Sequence, residues 1–264
     1  MINHTKYTWR LTMKIEKYGE SRRCELVSES LSHMDLRHVG IERIILLPIP
    51  TSRDGIYLTG TDTLISDVLM KLECGDGVVG YGISDEDAEI IRASGGVLVD
   101  VSRDEIFLLE NARLTAYGTL GYILTEIKRA PTELSFGVVG YGRIGKELTA
   151  LLISLGASVV VYTSKNATRV ALGACGIRTE PYENVEKWQE LADVLINTAP
   201  HSLTFAFRDS KVPCGKTVIE LASGKNFEGI SGVTSLPSIP ERSYPNSAAD
   251  AYLRAILRGL GVRI

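Results

Sequence analysis

Residues 134–162 read LSFGVVGYGRIGKELTALLISLGASVVVY: an apolar run, a glycine-rich turn, an amphipathic segment and a second apolar run. The first run suits a buried strand, and RIGKELTALLISLG places its apolar residues at helical spacing. Between them stands Gly140-Tyr141-Gly142-Arg143-Ile144-Gly145, a G-x-G-x-x-G turn inside a strand–helix–strand unit. Each glycine has a physical reason in that context. The first permits a tight turn, the second lets backbone N–H groups approach a pyrophosphate, and the third lets helix and strand pack closely. The helix behind the turn offers unpaired N–H donors and partial positive charge at its start. The stretch predicts a Rossmann domain, with Gly140, Tyr141, Gly142, Arg143, Ile144 and Gly145 as cofactor-binding residues.

The strand after this turn bears on the choice of cofactor. It runs through VVVY into Thr163-Ser164-Lys165-Asn166, with Arg169 one turn further on. A site for NAD usually closes this strand with an Asp or Glu that bonds the ribose 2′-OH. No carboxylate stands in this loop. Its two hydroxyls (Thr163, Ser164) and two cations (Lys165, Arg169) suit a 2′-phosphate, so NADP is expected, with NAD held through the hydroxyls as the alternative. Further along, DVLINTAP (193–200) reads as a strand whose end presents Asn197, Thr198, Ala199 and Pro200 to the nicotinamide ribose. Leu221, Ala222 and Ser223 follow the next strand in the same way. His201 has no visible carboxylate partner and reads as an exposed loop residue.

Working outward, the alternation continues downstream with a helix near 166–174, a short strand at 177–179 and a helix near 183–191. Strands at 194–197, 218–221 and 232–235 follow, then a closing helix at 246–259 that could pack back on a long helix at 103–128. That long helix holds Gly118 and Gly121, each costing about 1 kcal/mol if exposed, which close packing would explain. Upstream, a strand lies within 41–49, a polar loop at 50–60, and a helix at 62–72 capped by Thr61 or Asp62. A strand at 78–83 leads to Ser84-Asp85-Glu86-Asp87, a helix start with a capping serine and acids in the first turn. A strand at 96–101 follows. Before residue 41 only a strand near 11–16 and a helix near 22–33 are suggested. The expected class is α/β: a doubly wound parallel Rossmann sheet with a smaller N-terminal flavodoxin-like α/β domain. The N-terminal domain is drawn over 1–130, linking helix included, and the dinucleotide domain over 131–264.

Composition narrows the function classes. A net charge of −3 over 264 residues gives no general reason to bind nucleic acid or an anionic membrane surface. No apolar run approaches the roughly 20 residues that span a bilayer. Cys24, Cys74, Cys175 and Cys214 form no C-x-x-C pair, and His4, His33, His38 and His201 lack ligand spacing. The expectation is a cytoplasmic protein with reduced thiols and no structural metal. The apolar face of the long helix could build a homodimer or serve as the hinge between domains, the hinge being favoured.

Several segments together resemble a known family. The second domain is similar to the NAD(P)-binding domain of D-isomer-specific 2-hydroxyacid dehydrogenases. From about residue 41 the chain resembles the dipicolinate synthase A-subunit family, in LPIPTSRDG (47–55), VVGYGIS (78–84), NARLTAYGTL (111–120), VVGYGRIGKELTALLISLGASVVV (138–161), DVLINTAP, IELAS (219–223) and LPSIPERSYPNSAADAYLRAIL (236–257). The resemblance implies an NAD(P)-dependent oxidoreductase acting on a small cyclic dicarboxylate in spore formation, beside a separate flavoprotein-like subunit. Such a substrate needs cations or N–H donors, and Ser52, Arg53, Lys225 and Arg242 lie in suitable loops. Ser52, Arg53 and Lys225 are accordingly the catalytic candidates. Tyr117 stands where the family usually has an acid, and Asn246 where it has a lysine. A non-catalytic NADP-binding regulatory or scaffold subunit is therefore the second expectation, with a 2-hydroxyacid dehydrogenase-like enzyme as a third.

Overall fold

The computed structural model describes residues 13–207 and 209–263. In chain order the elements are β1 (Lys14–Lys17), α1 (Arg22–Ser32), β2 (Arg43–Leu46), α2 (Ile65–Leu69), β3 (Asp76–Gly80), α3 (Asp85–Ala93), β4 (Val97–Asp100) and α4 (Glu105–Glu126). There follow β5 (Ser135–Val139), α5 (Arg143–Ser154), β6 (Ser158–Tyr162), α6 (Asn166–Ala174), β7 (Arg178–Glu180), α7 (Trp188–Leu191), β8 (Val194–Asn197), β9 (Thr217–Glu220), β10 (Val233–Ser235) and α8 (Pro245–Gly259). The expected strand near 11–16 corresponds to β1, and its first two residues lie outside those described, as does His4. Contacts divide the chain into two units, residues 1–108 with 245–264, and residues 109–244.

In the first unit four parallel strands lie in the order β1-β2-β3-β4. Alternate residues feed its two faces, as a pleated strand requires. Ile44, Leu46, Val79 and Val99 join Val27, Leu31, Tyr252 and Ile256 from α1 and α8. Ile45, Leu47 and Val78 join Val68, Leu69 and Ile91 from α2 and α3 on the other. Strands that step one way with crossovers of one hand keep their helices on one face. α1 breaks that rule. A flavodoxin-like domain gives its first helix this opposite side, because its second strand lies outside its first. Here the described residues between α1 and β2 hold only a short 3₁₀ turn, Arg37–Val39, so the sheet runs in chain order without that outer strand.

Three local expectations shift. α2 is shorter than expected and starts behind Leu64, because Thr61 spends its hydroxyl inside its own turn, donating to Leu58 O (3.1 Å) and accepting from Thr63 N–H (3.1 Å). The Ser84 cap forms as read, with its hydroxyl accepting from Asp87 N–H at 3.1 Å. The closing helix belongs with the first unit rather than with residues 131–244. Its Tyr252 packs against Phe107 (ring centroids 5.8 Å apart) and Arg258 holds Asp104 at 2.7 Å, contacts that reach only the start of α4. Of the two interior glycines, Gly118 is explained by packing: a Cβ there would meet Ile239 at 2.7 Å. At Gly121 it would meet nothing within 4 Å.

The second unit carries six parallel strands in the order β10-β9-β8-β5-β6-β7. Counted within the unit this is 6-5-4-1-2-3, the Rossmann order, with its switch between β5 and β8. α4, α5 and α6 cover one face through Ile123, Leu148, Leu152 and Leu172. Trp188, Val185, Leu203 and Phe207 cover the other. Both faces are buried, which is why these strands read as continuous apolar runs rather than alternations.

Candidate functional site: the glycine turn and its neighbouring loops

Strand register places the loops of the second unit. Val139 pairs with Tyr162 on one side and with Asn197 on the other, and Asn197 pairs with Glu220. The loops after β5, β6, β8 and β9 therefore leave the sheet at one level, on the edge where parallel sheets meet their ligands. The Gly140 turn and the Thr198 loop flank the switch point itself.

The turn is built by close backbone approach. Gly140 has φ +90°, a left-handed conformation that favours glycine. A Cβ on Gly140 would come within 2.9 Å of Thr198 Oγ1, which donates to Val139 O at 2.8 Å. A Cβ on Gly145 would lie 2.2 Å from the Gly140 carbonyl oxygen, so α5 docks directly on the turn. Gly142 differs. It caps α5 without any side-chain hydrogen bond, and a Cβ there would meet no atom within 4 Å. The first turn of α5 thus presents backbone donors toward open space beside Gly142. Tyr141 is half-buried, with Lys146 Nζ 5.8 Å from its ring centroid; Arg143 is exposed and Ile144 half-buried.

The loop after β6 is pinned from within. Thr163 is buried, and its hydroxyl accepts from Lys165 N–H at 3.3 Å. Arg169 donates to Thr163 O (2.8 Å) and Asn166 Oδ1 (3.2 Å), which holds its guanidinium over the strand end. Ser164 and Lys165 are exposed. A carboxylate missed in the sequence stands one strand away: Glu180, opposite Tyr162 in the register, accepts from Asn184 (3.0 Å) and Arg178 (3.3 Å).

The loops after β8 and β9 share a second feature the sequence did not disclose. Glu220 is only 7% exposed and Asn197 fully buried. Asn197 Nδ2 donates to both Glu220 carboxylate oxygens (3.1 Å each), and Ala222 N–H donates to one of them at 2.7 Å. Burial pushes the Glu220 carboxyl above its ordinary range, against the lowering effect of those donors. Thr198, Ala199 and Ala222 are half-buried, while Pro200, Ser223 and His201 are exposed. The His201 ring stands edge-on to Tyr182.

The catalytic candidates fare differently. The single Ser52 hydroxyl proton has Tyr57 O (2.7 Å) and Asp54 Oδ1 (3.0 Å) within reach, and the oxygen accepts from Gly55 N–H (2.9 Å), so the hydroxyl is spent on holding its loop. Arg53 lines a cavity of about 520 Å³ with Asp54, Tyr57 and Asp62 in the first unit. Lys225 is exposed and pairs with Glu228 at 3.2 Å, and Arg242 is exposed. A second cavity, about 550 Å³, lies at the opposite end of the Rossmann sheet, against Leu134, Asp193 and Thr217. Among the described residues no cluster of three His, Cys, Asp or Glu could hold a metal. No described helix is long and apolar enough to cross a membrane, and the four cysteines form no disulfide.

No family model and no curated protein matches the sequence. Solved structures do match. The dipicolinate synthase A subunit from Bacillus halodurans superposes with a TM-score of 0.72 at 20% identity, over 95% of this chain and 98% of that one. The A chain of dipicolinate synthase from Bacillus subtilis gives 0.67 at 16%, over 95% and 96%. A transhydrogenase from Sinorhizobium meliloti gives 0.53 at 16%, over 88% and 77%. At these identities the likeness is one of fold. The resemblance read from the sequence thus has its structural counterpart, and the chain has the Rossmann-type α/β fold of NAD(P)-binding oxidoreductases.

Proposed function

We propose that the second unit binds a nicotinamide dinucleotide, NADP in preference to NAD, and that the chain is an oxidoreductase resembling the dipicolinate synthase A subunit. The observation that carries this reading is the glycine cradle at the switch point. Gly140 and Gly145 are locked by backbone contact, while Gly142 opens the uncapped start of α5 to an anion. The geometry fits a pyrophosphate. When bound, the cofactor supplies hydride chemistry, and the protein's part is to hold, orient and polarise. The turn would hold the pyrophosphate, and Thr163, Ser164, Lys165 and Arg169 the adenosine ribose with its 2′-phosphate. Thr198, Ala199, Pro200, Ala222 and Ser223 would line the nicotinamide side. A small cyclic dicarboxylate as substrate, a separate flavoprotein-like partner and a cytoplasmic setting in sporulation rest on the family resemblance.

Titration of the purified chain with NADPH and NADH tests the cofactor assignment. Lys165→Glu should weaken NADPH about 10- to 100-fold, by turning a charge attraction into a repulsion, and leave NADH nearly unchanged. Equal losses for both would refute the 2′-phosphate site. A second reading, a nucleotide-binding subunit without catalysis, is favoured by the Ser52 hydroxyl being spent within its loop and by Lys225 being tied to Glu228. Absorbance at 340 nm with dihydrodipicolinate and a panel of 2-oxoacids separates the two: turnover by the isolated chain supports the enzyme, and tight binding without turnover supports the non-catalytic role.

A further inference from the structure

Asn197 and Glu220 end adjacent strands and are both buried, yet neither belongs to the phosphate cradle. Each reaches into its own loop. Asn197 holds Ala199 from both sides, accepting its N–H on Oδ1 (3.1 Å) and donating from Nδ2 to its carbonyl (3.0 Å). Glu220 holds Ala222 N–H and the side chain of Asn226, which is itself buried and donates to Ser223 O at 3.4 Å. The Asn197–Glu220 bond is the side-chain link between these two loops, beside the backbone bonds from Leu203 N–H to Asn226 O (2.8 Å) and from Leu221 N–H to Asn197 O (3.0 Å).

The donors to this carboxylate are amides, with no cation among the groups that hydrogen-bond it. A buried charge without an ionic partner adds little to a core that apolar residues could fill, so its presence calls for a different reason. A carboxylate accepts at both oxygens at once. It can therefore collect Asn197, Ala222 and Asn226 where an amide or hydroxyl would leave one donor facing another. The result is a fixed spacing between the Thr198–Pro200 and Leu221–Asn226 segments.

We infer that Glu220 is a positioning residue for the nicotinamide half of the cofactor: acting through Asn197 and Asn226, it sets the spacing of the two loops that receive that half. The adenosine half is left to the Gly140 turn and the Thr163–Arg169 loop. This rests on the dinucleotide reading given above and assigns a division of labour within it.

Two ligands separate the halves. NADPH carries both, and 2′-phospho-ADP-ribose lacks the nicotinamide ring; NADH and ADP-ribose form the matching pair. In the full chain, Glu220→Gln places an amide NH₂ against a donor and should weaken the complete dinucleotide about tenfold. Binding of the ring-less ligand should stay within about twofold of the native value. Asn226→Ala, which removes one donor and leaves the strand pair intact, should show the same split, and it carries the test if thermal melting shows that Glu220→Gln does not fold. Equal weakening of both ligands would overturn the inference, showing a merely structural residue, as would no change in either. If the native chain bound neither ligand, the dinucleotide reading itself would fall, and this inference with it.

Discussion

Gly142→Ala separates what the glycine turn does for folding from what it does for a ligand. Gly142 has φ −80° and ψ −162°, an extended backbone open to alanine, and the new methyl would meet no protein atom within 4 Å. Replacing glycine at a compatible backbone stabilises by about 0.4–1 kcal/mol through the unfolded chain. Alanine caps a helix less well than glycine, which costs about 0.5–1 kcal/mol in return. The net change in stability should stay within about 0.5 kcal/mol, or roughly 2 °C in Tm. The methyl nevertheless stands where a pyrophosphate must approach the first N–H groups of α5. Losing one charge-assisted bond there costs about 1.5–3 kcal/mol, a drop of roughly 10- to 150-fold in NADPH affinity. Differential scanning fluorimetry and isothermal calorimetry read the two effects separately. Gly145→Ala should behave in the opposite way. Its Cβ would sit 2.2 Å from Gly140 O, so the turn must open by about 1 Å, at a cost of about 1–3 kcal/mol in stability as well as in binding. Native NADPH affinity in Gly142→Ala would refute the reasoning, because the space beside Gly142 would then hold no phosphate.

The remaining predictions concern buried charge. Arg43, 13% exposed at its side chain, holds the nearly buried Asp76 through Nε at 2.9 Å and the more exposed Glu16 at 3.2 Å, so Asp76→Asn should leave the cation only its outer partner and cost about 2 kcal/mol, read as a fall of about 4–8 °C in Tm; a change under about 1 °C would show the pair to be neutral. Acid should unfold the chain in a defined window. Asp76 and Asp104 are held below the ordinary range although burial opposes it, by Arg43 and Glu73 N–H for the first and by Phe107 N–H and Arg258 for the second; Asp193 is lowered chiefly by the Ser135 N–H. Folded values below an unfolded value near 3.9 mean that their stabilisation is complete above about pH 4 and is lost as pH falls through the folded values, so urea midpoints should hold to about pH 4 and drop below it. Glu220 runs the other way: burial raises its carboxyl, so its contribution is lost as pH rises above the ordinary carboxylate range, a slope that Glu220→Gln should remove from urea midpoints. An unchanged slope would show that Glu220 does not titrate there.

What could be read from the sequence was mostly backbone. The Gly140–Gly145 turn, the apolar runs and the Ser84 cap are local signals, each set by the conformational limits of a few adjacent residues, and they place the elements closely. α8 shows where locality ends. Its apolar stripe at Tyr252 and Ile256 announces a buried face but not which surface it meets, and the sheet of the first unit takes it. Thr61, like Asp62 beside it, reads as a helix cap because any such residue before an apolar run does; only the path of the loop back to Leu58 decides that the threonine hydroxyl is already spent.

Glu220 is the sharper case. In VIELAS a carboxylate at the end of an apolar run reads as the point where a strand emerges into water. Its burial depends on Asn197, which is 23 residues earlier in the chain and adjacent only through the β8–β9 register. A cross-strand pair of this kind leaves no periodicity in either segment, since each residue alone is an ordinary strand terminus. The glycine turn and the Asn197–Glu220 pair thus lie at opposite ends of legibility. One is written in backbone freedom, which a single segment displays, and the other in hydrogen-bond complementarity between two segments. If the pair positions the nicotinamide half while the turn grips the pyrophosphate, motif and fold similarity reveal that a dinucleotide can be held, and buried side-chain pairs determine how it is presented. That division would also account for a fold kept at 20% identity or less: the cradle needs three glycines, whereas the neighbouring loops rest on side-chain contacts that each sequence can solve anew.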